Sequence, residues 1–152
     1  MQVKLGAISL SAALLAVFSG SAMADEGLKV EPGQWDTTVE VNMKMNMHGQ
    51  ETALPPQTQT RSECVTEDDA AFTPDELSDE TCSVSNVQET SSTLAFDISC
   101  NQGGATVNGD MSFERGADGK SVSGVFKMAG GQTGVQMDIS GKISGKRVGT
   151  CS

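Results

Sequence analysis

Aromatic residues and histidine are the scarcest side chains in this sequence. Among 152 residues there is no tyrosine, one tryptophan (Trp35), five phenylalanines and one histidine (His48). A core with so few aromatic rings has to be built mainly from valine, isoleucine, leucine and methionine. Nucleophilic catalysis usually requires a histidine base beside its nucleophile, and no nucleophile motif accompanies His48. The sequence therefore predicts a protein that is not an enzyme.

Positive charge is also sparse. Lysine and arginine together number 10, against 20 aspartates and glutamates, which gives a formal net charge of −10. A surface of this sign repels phosphate backbones and anionic lipid headgroups. The composition therefore excludes nucleic acid and anionic membranes as expected partners.

The N-terminus has the parts of a secretory signal peptide. Lys4 is followed by an apolar run from Leu5 to Phe18, and Ala22 and Ala24 occupy the small-residue positions of a cleavage site. The apolar run is shorter than the ~20 residues of a membrane-spanning helix. We therefore predict that residues 1–24 are removed, that residues 25–152 form a single domain, and that no membrane span remains after cleavage.

Residues 33–47 alternate between the two faces of a predicted strand. Apolar and polar side chains follow each other with a period of two, which is typical of a β-strand with one buried and one wet face. A helix would scatter both sets around its axis. The side chains predicted to share the inward face are Trp35, Thr37, Val39, Val41, Met43, Met45 and Met47.

The second half of the chain repeats this alternation in segments that are separated by short turns, most of which contain glycine. Turns of hairpin length predict an antiparallel meander, and one-sided apolar faces predict a curved sheet or a small barrel. We therefore predict an all-β fold of about seven to eight strands. Gly145 is expected to turn the chain into a last short strand, residues 146–151.

Three glycines are predicted to take inward positions on successive strands, at Gly109, Gly124 and Gly141. A missing side chain permits a sharp bend or leaves room for a bulky neighbour. Trp35 is the side chain that we expect to fill this room.

Residues 66–81 interrupt the strand pattern with seven acidic and no basic side chains. Thr66 and Asp69 resemble a capping box, and Thr73 precedes a proline at a first helical position, so we predict a short helical excursion. The spacing lacks the central glycine of an EF-hand loop, and runs of charge usually face water. We therefore predict a solvated acidic surface here instead of a calcium site.

Four cysteines, Cys64, Cys82, Cys100 and Cys151, predict two disulfides in an exported chain. If the strands form a simple meander, all four cysteines lie at the same end of the sheet, and strand direction excludes no pairing. Cys64 and Cys82 flank the acidic segment, so that joining them closes its base with little distortion. We predict the pairs Cys64–Cys82 and Cys100–Cys151.

Met43, Met45, Met47 and His48 form the one set of residues with metal-binding chemistry. Thioethers and imidazole are soft ligands that select Cu(I). The same sulfurs continue the aliphatic face of their strand, and methionine packs well in irregular cores. The sequence favours core packing for these residues, with Cu(I) binding as the alternative.

Several short motifs follow one another in a characteristic order along the mature chain: Pro32-Gly33-Gln34-Trp35, Cys64-Val65-Thr66, Cys82, Cys100 and the ending Gly145-Lys146-Arg147-Val148-Gly149-Thr150-Cys151. Their order and spacing resemble the bacterial exported family called domain of unknown function 3617. The resemblance spans nearly the whole mature chain. It implies a periplasmic location and a shared fold, and it supplies no activity and no site residues.

Together these features predict an exported, disulfide-stapled β domain without turnover. A one-sided sheet with inward glycines is suited to holding a small apolar ligand or to presenting an edge to a partner protein. Cu(I) binding through the methionine-rich end of the first long strand is the alternative function.

Overall fold

The protein is built around one open antiparallel β-sheet. The computed structural model describes residues 27–152, so the predicted signal peptide, residues 1–24, lies outside the described residues. The described residues form ten strands and one 3-10 turn: β1 (Leu28–Lys29), β2 (Gly33–Met47), β3 (Gln50–Ala53), β4 (Gln57–Val65), β5 (Ala71–Phe72), the 3-10 turn (Pro74–Leu77), β6 (Cys82–Glu89), β7 (Thr93–Gln102), β8 (Ala105–Arg115), β9 (Ser121–Gln132) and β10 (Val135–Gly149). Among these residues no helix is long and apolar enough to cross a membrane. The predicted all-β antiparallel fold with a short helical excursion is confirmed.

The first long strand of the sheet pairs with the last. The strand order is β3-β2-β10-β9-β8-β7-β6, and β4 also pairs with β2. Strands β6 to β10 follow one another as a meander, as the short turns predict. Strand β10 takes one edge of β2 along almost its whole length, while β3 and β4 share the other edge. Within residues 27–152, β6 pairs only with β7, so the sheet does not close on itself.

Two segments differ from the expected strand limits. Gly49 and the pair Pro55 and Pro56 predict a loop after Met47 in the sequence, but residues 50–53 form β3, because the break at the two prolines stays local. Gly145 does not turn the chain, since β10 continues through it to Gly149. A Cβ atom at Gly145 would lie 3.4 Å from the ring of Trp35. This glycine therefore serves close packing within a strand, and the predicted last strand is the end of β10.

The main buried cluster lies over strands β6 to β9, on one half of the sheet. Leu94 and Phe96 of β7 are 0% and 2% exposed, and Leu28 of β1 completes the buried cluster. Strand β5 pairs with β1 and carries Phe72, whose ring meets that of Phe113 edge-on at 5.5 Å. Leu77 of the 3-10 turn also packs on this cluster. We name β1, β5 and the 3-10 turn the cap, because they cover the apolar face of β6 to β9.

The disulfides join Cys64 to Cys151 and Cys82 to Cys100, so the predicted pairing is wrong. It assumed that residues 66–81 begin and end at the same end of the sheet. Strand β10 runs antiparallel to β2, and each hairpin from β10 back to β6 reverses direction, so β6 runs in the same direction as β4. The connection between them therefore runs the length of the sheet. It separates Cys64 from Cys82, which lies directly opposite Cys100 in the ladder.

The acidic segment is tied to β6 by one carboxylate. Asp79 Oδ1 accepts hydrogen bonds from the backbone N–H of Thr81 at 2.6 Å, from Thr81 Oγ1 at 2.8 Å and from the N–H of Cys82 at 2.7 Å. The Thr81 hydroxyl, followed by the two backbone amides, lowers the pKa of Asp79 below its ordinary value of 3.8. These hydrogen bonds favour the ionised form of Asp79, because each donor places a partial positive charge beside the carboxylate.

The lowered pKa of Asp79 predicts that its stabilising contribution depends on pH in one direction. A carboxylate with a folded-state pKa below the unfolded value contributes fully above that value, and the contribution is lost as the pH falls through the folded-state pKa. We therefore expect stability to decline below about pH 3.8. Urea unfolding as a function of pH measures this loss of stability. The loss should be smaller in the Asp79→Asn variant, which has no carboxylate to protonate at this position. Glu80→Gln, the matched control in the same segment, should leave it in place; equal effects of the two variants would contradict the assignment.

Candidate functional site

The methionines of β2 lie outside the capped core. Met43 and Met45 are half-buried, and Met47 is 48% exposed. They share the apolar face of the sheet with the buried cluster but neither belong to it nor pack against it. These three methionines therefore form a stripe at the margin of the core, where they remain partly exposed to solvent.

Strand β10 places a further methionine against this stripe. Met137 lies directly opposite Met45, while Ile139 and Val135 lie opposite Met43 and Met47. Directly opposed residues have Cβ atoms about 4.5 to 5.5 Å apart, and diagonal neighbours about 7 to 8 Å. Met137 therefore has one methionine beside it and one on each diagonal. We name Met43, Met45, Met47 and Met137 the methionine quartet.

Sequence reasoning did not connect Met137 with the candidate metal site. The alternation of its segment correctly indicates that it faces inward, together with Met128 of β9. Pairing between β2 and β10, however, joins segments about 90 residues apart, and no hairpin between them signals that they are neighbours. Met128 itself is opposite Ile139, not opposite another methionine, and its side chain lies over Gly109 on the other side, toward β8.

His48 lies beyond the strand face that holds the quartet. It is an exposed residue of the turn after β2, with a φ of 53°. Its N–H donates to the carbonyl of Gly134 at 3.2 Å, and its imidazole lies against the same glycine. The structure therefore brings Met43, Met45 and Met47 together with Met137 and directs His48 toward the β9–β10 turn.

Large side chains lie over glycines of the neighbouring strand. A Cβ atom at Gly124 would collide with the ring of Phe113, and one at Gly141 would collide with the ring of Phe126. The prediction that inward glycines make room for large neighbours is correct, but the neighbours are these two phenylalanines and Met128. Trp35 packs against Gly145 instead. On the quartet side, Gly130 lies opposite Met137 and leaves that flank without a side chain.

The motifs at the two ends of the chain meet in a clasp. Trp35 is 4% exposed and lies opposite Arg147, and its Nε1 donates to the carbonyl of Glu31 at 2.9 Å. Arg147 Nε donates to the carbonyl of Pro32 at 2.6 Å. A side chain at Gly33 would collide with Arg147. These residues hold the start of β2 against the end of β10, beside the Cys64–Cys151 disulfide, which indicates a structural role.

The polar face of the sheet contains two hollows that are open to solvent. One, of about 520 Å³, lies at the irregular part of β6, where Asn86 donates to Asp97 at 2.6 Å. The other, of about 550 Å³, is lined by charges of both signs, among them Lys44, Asp110 and Lys127. Across residues 27–152 no polar or charged side chain is buried, and no cluster of three or more histidines, cysteines and acidic residues is arranged to hold a metal ion. The hollows therefore provide no enclosed polar site.

Comparison with known proteins connects these features to a family. The sequence matches the family described as "Protein of unknown function (DUF3617)" over residues 30–151. No curated protein and no solved structure matches the chain. The matched range begins just before the clasp motif around Trp35 and ends at Cys151, so it includes the whole main sheet and both disulfides. On this match, the chain belongs to the DUF3617 family.

Proposed function

We propose that this protein is an exported, periplasmic binding protein without catalytic turnover. We further propose that it holds a small, uncharged apolar ligand on the uncapped half of its apolar face, which is the half formed by β2 and β10. The single observation that carries the proposal is the partial cover of that face. The cap buries Leu94 and Phe96 almost completely, whereas Val41, Met43 and Ile139 on the other half remain half-buried. Exposed apolar surface of this kind usually marks an interaction site.

The charges around the uncapped half support an uncharged ligand. Three turns border its methionine end, at residues 48–49, 103–104 and 133–134, and none contains a lysine, arginine, aspartate or glutamate. The strongly acidic chain repels anionic amphiphiles. An uncharged apolar molecule bound on this face would therefore meet no charged side chain in the three turns and no electrostatic repulsion from the acidic chain.

Two further features support export and a role without turnover. Both disulfides suit an oxidising compartment, where such bonds form and persist. The only histidine, His48, lies in an exposed turn, where its backbone N–H bonds to Gly134. This is a poor position for a catalytic base, which needs a desolvated, oriented partner.

N-terminal sequencing of the exported protein should begin at Asp25 if cleavage follows Ala24.

Native mass spectrometry of protein purified from its own periplasm tests the ligand directly. We expect an apolar molecule to co-purify and to be displaced by N-phenyl-1-naphthylamine, an uncharged fluorescent probe. Ile139→Glu places a charge in the centre of the proposed surface and should weaken probe binding at least tenfold. Val125→Glu is the matched control, because Val125 is 46% exposed on the opposite face, and it should bind the probe like the parent.

Three outcomes would overturn this proposal. One is the absence of a ligand from repeated preparations together with equal probe binding by both glutamate variants. Another is a dimer that Ile139→Glu converts to a monomer, because a second copy would then cover the face. The third is a stable complex with a partner protein that Ile139→Glu disrupts.

A further inference from the structure

We propose that the methionine quartet, Met43, Met45, Met47 and Met137, is a thioether site for Cu(I), with Met137 as the central ligand. The proposal does not depend on the apolar ligand, because it rests on the sulfur atoms and not on the apolar surface. It differs from the site expected from the sequence in two residues: Met137 is added and His48 is left out.

The ladder between β2 and β10 creates the site. Met137 lies opposite Met45, and Met43 and Met47 lie one pair away on either side. With Cβ atoms about 4.5 to 5.5 Å apart for the direct pair and about 7 to 8 Å apart on a diagonal, and with sulfurs two bonds beyond each Cβ, Met137 and Met45 can reach a common point together with either Met43 or Met47. Met43 and Met47 are themselves about 13 Å apart on one strand, so they are alternative third ligands and do not bind the same ion together. Methionine has three rotatable bonds and adapts to such a convergence. Strand β2 alone offers only alternate methionines about 7 Å apart, so the directly opposed pair of Met45 and Met137 is what the ladder adds.

The flanks of Met137 leave its side chain free to move toward β2. Its partner on the other side is Gly130, which offers no side chain to pack against. Met128, the nearest methionine on β9, lies over Gly109 and leans away toward β8. Met137 therefore has three thioethers beside it on β2, whereas its flank on β9 holds only Met128, on a diagonal and turned toward β8.

The ligand set selects the metal. Thioethers are soft, uncharged ligands that favour Cu(I) and remain usable in an oxidising compartment, where the cysteines of this protein are all in disulfides. Hard divalent ions prefer carboxylate and carbonyl oxygens, which the apolar face does not supply around the quartet. The 48% exposure of Met47 gives an entry path for the ion from solvent.

Titration with Cu(I) under anaerobic conditions, with both disulfides intact and a chromogenic Cu(I) chelator in competition, tests the site. We expect one ion per protein. Met137→Leu should weaken binding at least tenfold, and Met45→Leu should have a similar effect. Leucine replaces methionine at nearly the same volume and with little loss of stability, so the variants should remain folded.

Two controls separate the quartet from other residues. Met111→Leu removes a thioether on the same face that packs against the capped cluster, and it should leave Cu(I) affinity unchanged. His48→Ala should also leave it unchanged. The ε-methyl NMR signals of the quartet should shift when Cu(I) or redox-inert Ag(I) is added, while that of Met111 should not.

The metal proposal and the ligand proposal can fail separately. Substituting leucine at all four quartet positions removes every sulfur, so it should abolish Cu(I) binding. Ile139→Glu keeps every sulfur, so it should weaken binding of the uncharged probe without abolishing Cu(I) binding. Cu(I) binding by Met137→Leu at parental affinity would overturn the metal site, as would an equal loss in Met111→Leu. A loss of affinity in His48→Ala equal to that in Met137→Leu would overturn the ligand set.

Discussion

Replacing Cys64 and Cys151 together with serine is expected to lower the free energy of unfolding by about 4 to 5 kcal/mol. The two cysteines are 87 residues apart in sequence, so their bond restricts most of the unfolded chain. In the chain-entropy description, the stabilisation grows with the logarithm of the closed loop. Urea denaturation, followed by the fluorescence of the single tryptophan, Trp35, measures the change.

The second disulfide provides the matched control. Cys82 and Cys100 are 18 residues apart, and a loop of that size corresponds to about 3 kcal/mol. We therefore expect the Cys82→Ser and Cys100→Ser double variant to be the more stable of the two. The reverse order would contradict the importance of loop length and would indicate that Cys82–Cys100 stabilises the native state through its contacts in the folded protein.

Trp35→Ala is expected to destabilise the protein by about 3 to 5 kcal/mol. The ring is 4% exposed and lies beside Gly145, so its removal leaves a cavity that a glycine cannot fill. The carbonyl of Glu31 also loses the Nε1–H donor that now bonds to it at 2.9 Å. Because this variant has no tryptophan, far-UV circular dichroism in urea is the appropriate measurement.

Trp35→Phe separates the two contributions. It keeps an aromatic ring over Gly145 but cannot donate to Glu31, and the lost hydrogen bond alone is worth about 0.5 to 1.5 kcal/mol. We expect an effect between those of the parent and Trp35→Ala. Cu(I) and probe binding should persist in both variants wherever they are folded, since the clasp lies at the opposite end of β2 from the quartet. Loss of binding by folded Trp35→Phe would contradict a purely structural clasp.

Local patterns predicted most of the strands, and long-range pairing accounts for what they missed. Alternation placed residues 33–47 on one strand with the correct inward face, because side chains on a strand alternate whatever its neighbours are. Hairpin turns gave the order of β6 to β10. Neither signal reports on which strand pairs with β2, since that ladder joins residues far apart in sequence. The position of Met137 beside the methionine stripe follows only from this ladder.

The disulfide error has the same physical origin. The acidic connection was predicted to contain a helical turn, and Pro74–Leu77 confirms it, but composition does not say at which end of the sheet a connection finishes. Counting residues in the hairpin between β6 and β7 offered a better signal. Counting pairs from the turn at residues 90–92 places Cys82 within one residue of Cys100, and the irregularity in β6 between Ser85 and Gln88 shifts the register so that the two lie directly opposite each other.

An open sheet has two outer strands that could pair with another copy of the protein, and both are poor templates for such pairing. On one side, Pro55 and Pro56 divide the outer strand into β3 and β4, and almost every residue of both is exposed and polar. On the other side, Asn86, with a φ of 52°, interrupts β6 beside the exposed Val87. Prolines and bulges are common means by which natural sheets prevent edge-to-edge association. The sheet can therefore stay open, with half of its apolar face accessible, without offering a long flat edge from which aggregates could grow.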